Sequence, residues 1–297
     1  MKGLITKSTG KWYDVKINNK IYKTILRGKL KIDNQLTNPI ASGDYVELIK
    51  NKNKDFIINN IHKRKNCIIR KSNRNDKGHI IASNIDQLLI LCSIKEPYTK
   101  ISFIDRCLVS ANYYNIRPII VFNKLDILNK NELENLNIIL KNYLTIGFDA
   151  FIISAKYNIN VHNLLKILKK NKTLVIGNSG IGKSTLINLL CNKSKQKINP
   201  ISKKTKKGKQ TTTFSEMFEI NANSFLIDTP GFKEFQFYGI EKNEIKYTFP
   251  EFNKLRDKCK FNNCNHENEP NCNVKKNIDK TIWKKRYTSY LTIIKSL

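Results

Sequence analysis

Apolar and polar positions change their rhythm as the chain proceeds. In the N-terminal part they alternate, or run in short β-branched and aromatic stretches: Gly3-Leu4-Ile5-Thr6, Trp12-Tyr13-Asp14-Val15-Lys16-Ile17, Ile21-Tyr22-Lys23-Thr24-Ile25-Leu26, Tyr45-Val46-Glu47-Leu48-Ile49 and Phe56-Ile57-Ile58. A period of two puts every second side chain on one face of a strand. Asn18-Asn19 reads as a hairpin turn between two of these runs, and Gly43-Asp44 precedes another. Five short strands with interleaved Lys and aromatic residues predict a small OB-type β-barrel, a platform for nucleic acid; an SH3-like or other small barrel fits the same pattern. Residues 62–83 are basic and polar, with His62-Lys63-Arg64-Lys65 and Arg70-Lys71-Ser72-Asn73-Arg74. They read as a linker or mobile loop, either a solvated charge run or an RNA contact.

From residue 84 onward strands and helices alternate. Residues 87–92, 118–122, 150–153, 173–176 and 224–227 read as buried strands. Residues 102–114, 131–143, 161–170 and 183–191 read as helices, with Ser102 as N-cap of the first. This order predicts a doubly wound α/β sheet whose ligand sites lie at the carboxyl ends of its strands. Beyond it lies a polar, turn-rich stretch flanked by helices, including one over residues 278–296.

The chemistry sits where the predicted strands end. Gly177-Asn178-Ser179-Gly180-Ile181-Gly182-Lys183-Ser184 follows an apolar strand and opens a helix. That is the context of a G-x-x-x-x-G-K-[ST] phosphate loop, in which glycines let backbone N–H groups wrap phosphates at a helix N-terminus. Lys183 is expected to reach the β- and γ-phosphates and Ser184 to ligate Mg²⁺, with Thr185 next to it in the nucleotide site. Asn123-Lys124-Leu125-Asp126 reads as a guanine-recognising tetrad. The Asp126 carboxylate would accept from guanine N1–H and N2–H₂, which adenine cannot offer, and a mismatch would leave a polar group unpaired. Lys124 would lie along the base, and Asn123 would tie its loop to the phosphate loop. Ser154-Ala155-Lys156 is the companion motif, with the Ala155 N–H meeting guanine O6. An ATPase is the competing reading of the phosphate loop; a metabolic P-loop kinase is disfavoured by Asp126 and by the lack of an acceptor-substrate domain.

Asp228 in Asp228-Thr229-Pro230-Gly231 would hold Mg²⁺ through water, and the Gly231 N–H would sense the γ-phosphate. Phe232 follows, where small GTPases place a water-orienting Gln. Between phosphate loop and Asp228 lies Lys203-Lys204-Thr205-Lys206-Lys207-Gly208-Lys209-Gln210-Thr211-Thr212-Thr213, the expected first switch. Thr212 is the favoured Mg²⁺ ligand there, with Thr211 and Thr213 as alternatives. Gln210 is a candidate for positioning the attacking water, or else an ordinary loop residue. The base-reading motifs precede the phosphate motifs, the reverse of an ordinary GTPase, so the domain reads as circularly permuted.

Cys259-x₄-Cys264-x-His266-x₅-Cys272 supplies three thiolates and an imidazole, a closed four-ligand set for one structural Zn²⁺. Loose surface cysteines are the alternative, and a catalytic zinc would need an open coordination position that is not evident. Cys67, Cys92, Cys107 and Cys191 are scattered, mostly among apolar neighbours, and read as reduced core thiols. The organisation expected is a barrel over residues 1–66, a permuted GTPase domain over 67–240 and a zinc-binding helical domain over 241–297.

Composition adds a partner. The 297 residues carry a formal net charge of +30, which suits a polyanion such as RNA, although an AT-rich genome also enriches Lys, Asn and Ile. No run of eighteen apolar residues and no N-terminal apolar signal core is present, so a cytoplasmic protein without a membrane span is expected.

The chain resembles the ribosome small subunit-dependent GTPase A (RsgA) family over nearly its whole length. The resemblance rests on Arg27-Gly28-Lys29, Gly43-Asp44-Tyr45-Val46, Asn84-Ile85-Asp86-Gln87, the tetrad, the phosphate loop, the Thr run, residues 228–231 and the Cys/His knuckle, all in family order. It implies an OB barrel, a permuted GTPase domain and a zinc domain. It also implies a late assembly factor that binds the 30S subunit and 16S rRNA with GTP, hydrolyses GTP to GDP, then leaves, acting as a monomer. A GTP-binding RNA-binding protein without ribosome-stimulated catalysis is the alternative. Relatives commonly carry His just before the Thr run, where this chain has Gln210. An amide can orient water but cannot take its proton.

Overall fold

The computed structural model describes residues 1–28, 35–51, 55–72, 76–191, 215–229 and 236–297. Strands β1 (Lys2–Ser8), β2 (Tyr13–Ile17), β3 (Lys20–Leu26), β4 (Tyr45–Lys50) and β5 (Phe56–Ile61) form the predicted barrel. Its order β1-β2-β3-β5-β4 closes by pairing of β4 with β1. β3 and β5 run parallel, and the other pairs are antiparallel. Alternate positions turn inward, so Ile5, Val15, Val46 and Ile58 are fully buried. Asn18 takes a left-handed φ of 52° in the β2–β3 turn, a conformation asparagine tolerates better than most residues.

Residues 62–83 are not a linker. β6 (Cys67–Lys71) and β7 (Gly78–Ser83) form an antiparallel hairpin. Ile68, Ile81 and Ala82 bury themselves in the core of the central domain. The basic residues around them hid a short alternation. Arg64, read as part of a charge run, instead grips the fully buried Asp44, with Nε–Oδ1 2.7 Å and Nη2–Oδ2 2.8 Å. Gly43 beside it has φ +98°, and a Cβ there would lie 2.0 Å from the Ser83 carbonyl oxygen, so a side chain cannot fit. Asn84 donates to the Gly43 carbonyl at 3.0 Å and accepts from the Lys65 N–H at 2.8 Å. The Gly43-Asp44 and Asn84 motif residues therefore fasten the barrel to the rest of the molecule.

The central sheet has order β10-β9-β8-β11-β13-β12. It is built from β8 (Gln87–Cys92), β9 (Arg117–Phe122), β10 (Asp149–Ile152), β11 (Lys172–Ile176), β12 (Glu216–Asn221) and β13 (Ser224–Asp228). Helices α1 (Ile101–Tyr113), α2 (Lys130–Ile146), α3 (Val161–Leu168) and α4 (Lys183–Cys191) connect them. All strands are parallel except β12. Both faces are covered, with Leu88 and Ile90 in one core and Leu89 and Leu91 in the other, as an all-buried parallel strand requires. β12 has no counterpart in the sequence reading. It pairs with β13 and reaches the barrel through Glu216 opposite Lys7 of β1; their side chains form a 2.9 Å ion pair.

Helix α1 begins at Ile101, so Ser102 already lies in its first turn and is not the N-cap; Lys100 holds that place without a side-chain cap bond. Helix α2 carries a capping box between Asn129 and Glu132, both bonds 2.9 Å. Cys92, Cys107 and Cys191 are buried and Cys67 is half-buried, and none of the four is in a disulfide.

The C-terminal region packs α5 (Pro250–Arg256), α6 (Asn273–Lys276) and α7 (Lys284–Lys295) around a third core that includes Phe249, Phe252, Tyr290 and Ile293. The helix expected over 278–296 starts only at Lys284. Asp279 has φ +61° and Ile278 bridges to Ile282, which no helix accommodates. This region sits on α1. Arg286, 1% exposed, bonds Asp105 of α1 at 2.7 Å and Glu251 of α5 at 2.6 Å, and its guanidinium lies 4.5 Å from the Phe249 ring centroid. Tyr143 of α2 donates to the same Asp105 oxygen at 2.9 Å. Among the described residues no helix is long and apolar enough to cross a membrane.

Candidate functional site

Five parallel strands point their carboxyl ends the same way, and the motifs lie on the segments that follow them. The tetrad follows β9, Ser154-Ala155-Lys156 follows β10, the phosphate loop follows β11, and Asp228 ends β13. The loop after β8 joins them: Lys124 Nζ donates to the Glu96 carbonyl.

Asn123 holds this arrangement together. It is 4% exposed. Its Nδ2 donates to the Ile181 carbonyl of the phosphate loop at 2.9 Å, and its Oδ1 accepts from the Ala155 N–H at 2.9 Å. Its backbone N–H donates to the Cys92 carbonyl at 2.8 Å. One side chain thus ties the base-reading loops to the phosphate loop. The approach is close enough that a Cβ on Gly182 would lie 2.4 Å from Asn123 Nδ2, which explains glycine there. The same bond corrects one expectation: in this geometry the Ala155 N–H is committed to Asn123 and does not stand open toward guanine O6. Asp126 is exposed and accepts a hydrogen bond from the Ser154 hydroxyl, which orients its carboxylate. Lys124 holds φ +67°, turning the tetrad out of the strand direction. Lys156 is exposed, its ammonium 4.7 Å from the Tyr157 ring centroid.

On the phosphate side, Ser179 and Gly180 are exposed, as are Ser184 and Thr185 at the start of α4. Lys183 Nζ lies on the loop's own carbonyls, 2.6 Å from Gly177 O and 3.2 Å from Asn178 O. Burial lowers the Lys183 pKa, while the Asp228 charge opposes that. Burial also lifts the Asp228 carboxyl to about 6, against the pull of Lys183. Asp228 Oδ1 is buried without a hydrogen-bond partner. A buried orphan acceptor close enough to feel the Lys183 charge fits a Mg²⁺ site, where cation or water supplies the missing partner. Gln210, Thr211, Thr212, Thr213, Gly231 and Phe232 lie outside the described residues.

The second cluster is Cys259, Cys264, His266 and Cys272, whose ligand atoms all lie within 4.8 Å of one another. Cys272 Sγ is 3.3 Å from His266 Nδ1 and 4.0 Å from Cys259 Sγ, and Cys259 Sγ is 3.8 Å from Nδ1. These separations suit a tetrahedral ion with Zn–S of about 2.3 Å and Zn–N of about 2.0 Å. Burial pushes the Cys264 thiol up to about 12 and the His266 imidazole down to about 4. Such a site strongly favours a cation that can ionise its thiols. The surroundings are built for thiolates: Asn273 N–H points at Cys259 Sγ (3.3 Å) and Lys275 N–H at Cys272 Sγ (3.5 Å). The buried Lys246 ammonium clasps the knuckle carbonyls, including Cys264 O at 3.1 Å, and Tyr287 donates to His266 O at 2.7 Å. The group can hold one zinc.

Comparison with known proteins agrees with this geometry. The RsgA GTPase family matches residues 61–238, and the RsgA N-terminal domain matches residues 2–58. The small ribosomal subunit biogenesis GTPase RsgA 2 of Bacteroides thetaiotaomicron is 42% identical over 99% of this chain and 96% of its own length. The protein named small ribosomal subunit biogenesis GTPase RsgA in Flavobacterium psychrophilum is 42% identical over 99% and 92%. The crystal structure of YjeQ from Thermotoga maritima superposes with a TM-score of 0.78 at 27% identity, covering 100% of this chain and 98% of that one. That of YloQ, described as a circularly permuted GTPase, superposes with a TM-score of 0.74 at 24% identity over 99% and 94%, a likeness of fold. Family matches over residues 2–58 and 61–238, on a motif order that no ordinary GTPase has, with this identity along nearly the full length, lead to one conclusion: the chain belongs to the RsgA GTPase family.

Proposed function

We propose that this chain hydrolyses GTP to GDP and phosphate on the maturing small ribosomal subunit, late in its assembly in the cytoplasm. The observation that carries the reading is the Asn123 bridge, which brings a guanine-reading loop and a phosphate loop into one site. Asp126, oriented by Ser154, accepts from the guanine edge; Lys124 and Lys156 flank the base. The backbone of residues 177–182 wraps the phosphates, and Lys183 leaves its loop carbonyls to neutralise them. Ser184 and Thr212, with Asp228 through water, would hold Mg²⁺, which would supply charge neutralisation on the phosphates. The Gly231 N–H senses the γ-phosphate, and Gln210 orients the attacking water. With an amide in that place the role is positional, since it cannot accept the water's proton.

The relatives' names speak of the small ribosomal subunit. For this chain the net charge of +30 favours 16S rRNA as the surface contacted, by residues 1–66 and 241–297, with the GTPase unit over 67–240 acting as a monomer. The test is GTP hydrolysis with and without purified 30S subunits. Alone the rate should be slow; with 30S it should rise by about 10³–10⁵, the scale of partner-supplied positioning. Gln210→Ala should keep GTP and 30S binding but lose most of the stimulation. An unchanged rate on adding 30S refutes the ribosomal reading and leaves a GTP-binding RNA-binding protein.

A further inference from the structure

Beside the zinc cluster lies a cavity of about 270 Å³ lined by Lys246, Tyr247, Arg256, Phe261, Asn262 and His266 among others. We propose that it takes a single unpaired RNA nucleotide, with the base stacked on its exposed rings. The inference uses the reading above only in taking the partner to be RNA.

Two aromatic rings stand out into solvent at its rim: Tyr247 is 54% and Phe261 40% exposed. Neither belongs to the packed core of this region. The Arg256 guanidinium lies 4.8 Å from the Tyr247 ring centroid, and Lys260 Nζ lies 5.5 Å from that of Phe261. Aromatic rings and guanidinium planes are the surfaces on which unstacked bases settle, tolerating any base because each has a π-face. Asn262 offers an amide with both donor and acceptor to a base edge. His266, on the lining, carries a buried Nε2 with no hydrogen-bond partner. Lys246 is not a phosphate ligand, because its ammonium is committed to the knuckle carbonyls.

Size and charge narrow the occupant. The volume falls just below the range of about 300–1,000 Å³ typical of drug-sized ligand sites, which suits one planar base. Asp257 also lines the cavity, its carboxylate 3.5 Å from Arg256 Nε. A carboxylate there disfavours an acidic peptide but not a neutral base whose phosphates lie outside, near the exposed Lys258 and Lys260. The zinc knuckle holds the turn bearing Phe261 and Asn262, so the cavity is preformed when metal is bound.

The experiment uses the full zinc-loaded chain and single-stranded RNA pentamers carrying one 4-thiouridine. Irradiation of the wild-type complex should crosslink the peptide that holds Tyr247 or Phe261. In fluorescence anisotropy, Tyr247→Ala and Phe261→Ala should each weaken binding by about tenfold, from loss of one stacking contact. Tyr247→Phe should bind as wild type, and the salt dependence should keep its slope, because no phosphate contact is removed. Zinc stoichiometry on the same samples separates a lost stack from a collapsed knuckle, and the wild-type crosslink stands independently of any variant. Crosslinks only elsewhere, or full affinity in both alanine variants, overturn the proposal. So does an acidic peptide that binds the wild type and loses affinity in the same variants. Crosslinks at the cavity without 30S stimulation would refute the ribosomal reading and leave the cavity assigned; stimulation with crosslinks only elsewhere would do the reverse.

Discussion

Replacing Arg286 by Met removes the cation that pairs with two buried acids. Arg286 is 1% exposed, and its partners Asp105 and Glu251 have side chains 0% and 6% exposed. Without the guanidinium both carboxylates stay buried and uncompensated. Burial already raises the Asp105 pKa, and Arg286 is the leading charge that opposes it. Breaking a buried pair by removing one partner costs about 3–5 kcal/mol. The loss of a desolvated contact with the Phe249 ring adds up to about 2 kcal/mol, partly offset by packing of the Met side chain. Arg286→Met is therefore expected to lose about 3–5 kcal/mol of the stability that joins the zinc region to α1. Guanidinium denaturation followed by Trp283 fluorescence in a Trp12→Phe background reports it locally, since that indole lies 5.8 Å from the Tyr143 ring. The charge argument makes a second, opposite expectation. Replacing the charged groups and the phenol of the network by apolar residues (Arg286→Met, Asp105→Leu, Glu251→Met and Tyr143→Phe, the last because its hydroxyl bonds Asp105) should recover most of the loss. A single variant that loses less than about 1 kcal/mol, or a fourfold variant no better than the single one, refutes the reasoning.

Asp126→Asn should weaken GTP binding and raise affinity for xanthosine triphosphate, because the donor and acceptor pattern inverts; titration with both nucleotides checks it, and unchanged GTP affinity would sink the assignment. Purified protein should contain one zinc per chain, and Cys272→Ala should carry almost none and show faster amide exchange across residues 257–276, read by metal analysis and mass spectrometry. The Glu132 carboxyl is held below its ordinary value by the Asn129 N–H and then by Lys95. Its cap therefore stabilises α2 above the unfolded carboxyl pKa and is lost as pH falls through the folded value. The stability gap between wild type and Glu132→Gln should be largest at neutral pH and close in acid, as denaturant midpoints across that range would show.

Much of the site was legible before any coordinates. A phosphate loop, a base-reading tetrad and a four-ligand knuckle are local patterns, because each depends on residue types at short spacing. The strands beneath them were legible for the same reason: Leu88 to Leu91 are apolar without a break because both faces are covered. Misreadings fell where a local signal competed with a distant one. The basic residues around Cys67-Ile68-Ile69 suggested a linker, yet Ile68 packs into a core formed later in the chain. Ser102 was a plausible cap by type, and the helix began two residues too early to use it.

By itself, then, the sequence determined which ligands the chain is equipped for and in what order its parts come. Only the tertiary structure decided how those parts are joined. Asn123 spans to Ile181 and Ala155, Arg64 reaches Asp44, β12 reaches β1, and Arg286 meets Asp105 from far along the chain. Pairings of this kind carry no periodicity. They exist because a buried donor, acceptor or charge must find a partner once folding has removed water, and which partner it finds depends on the three-dimensional path of the chain.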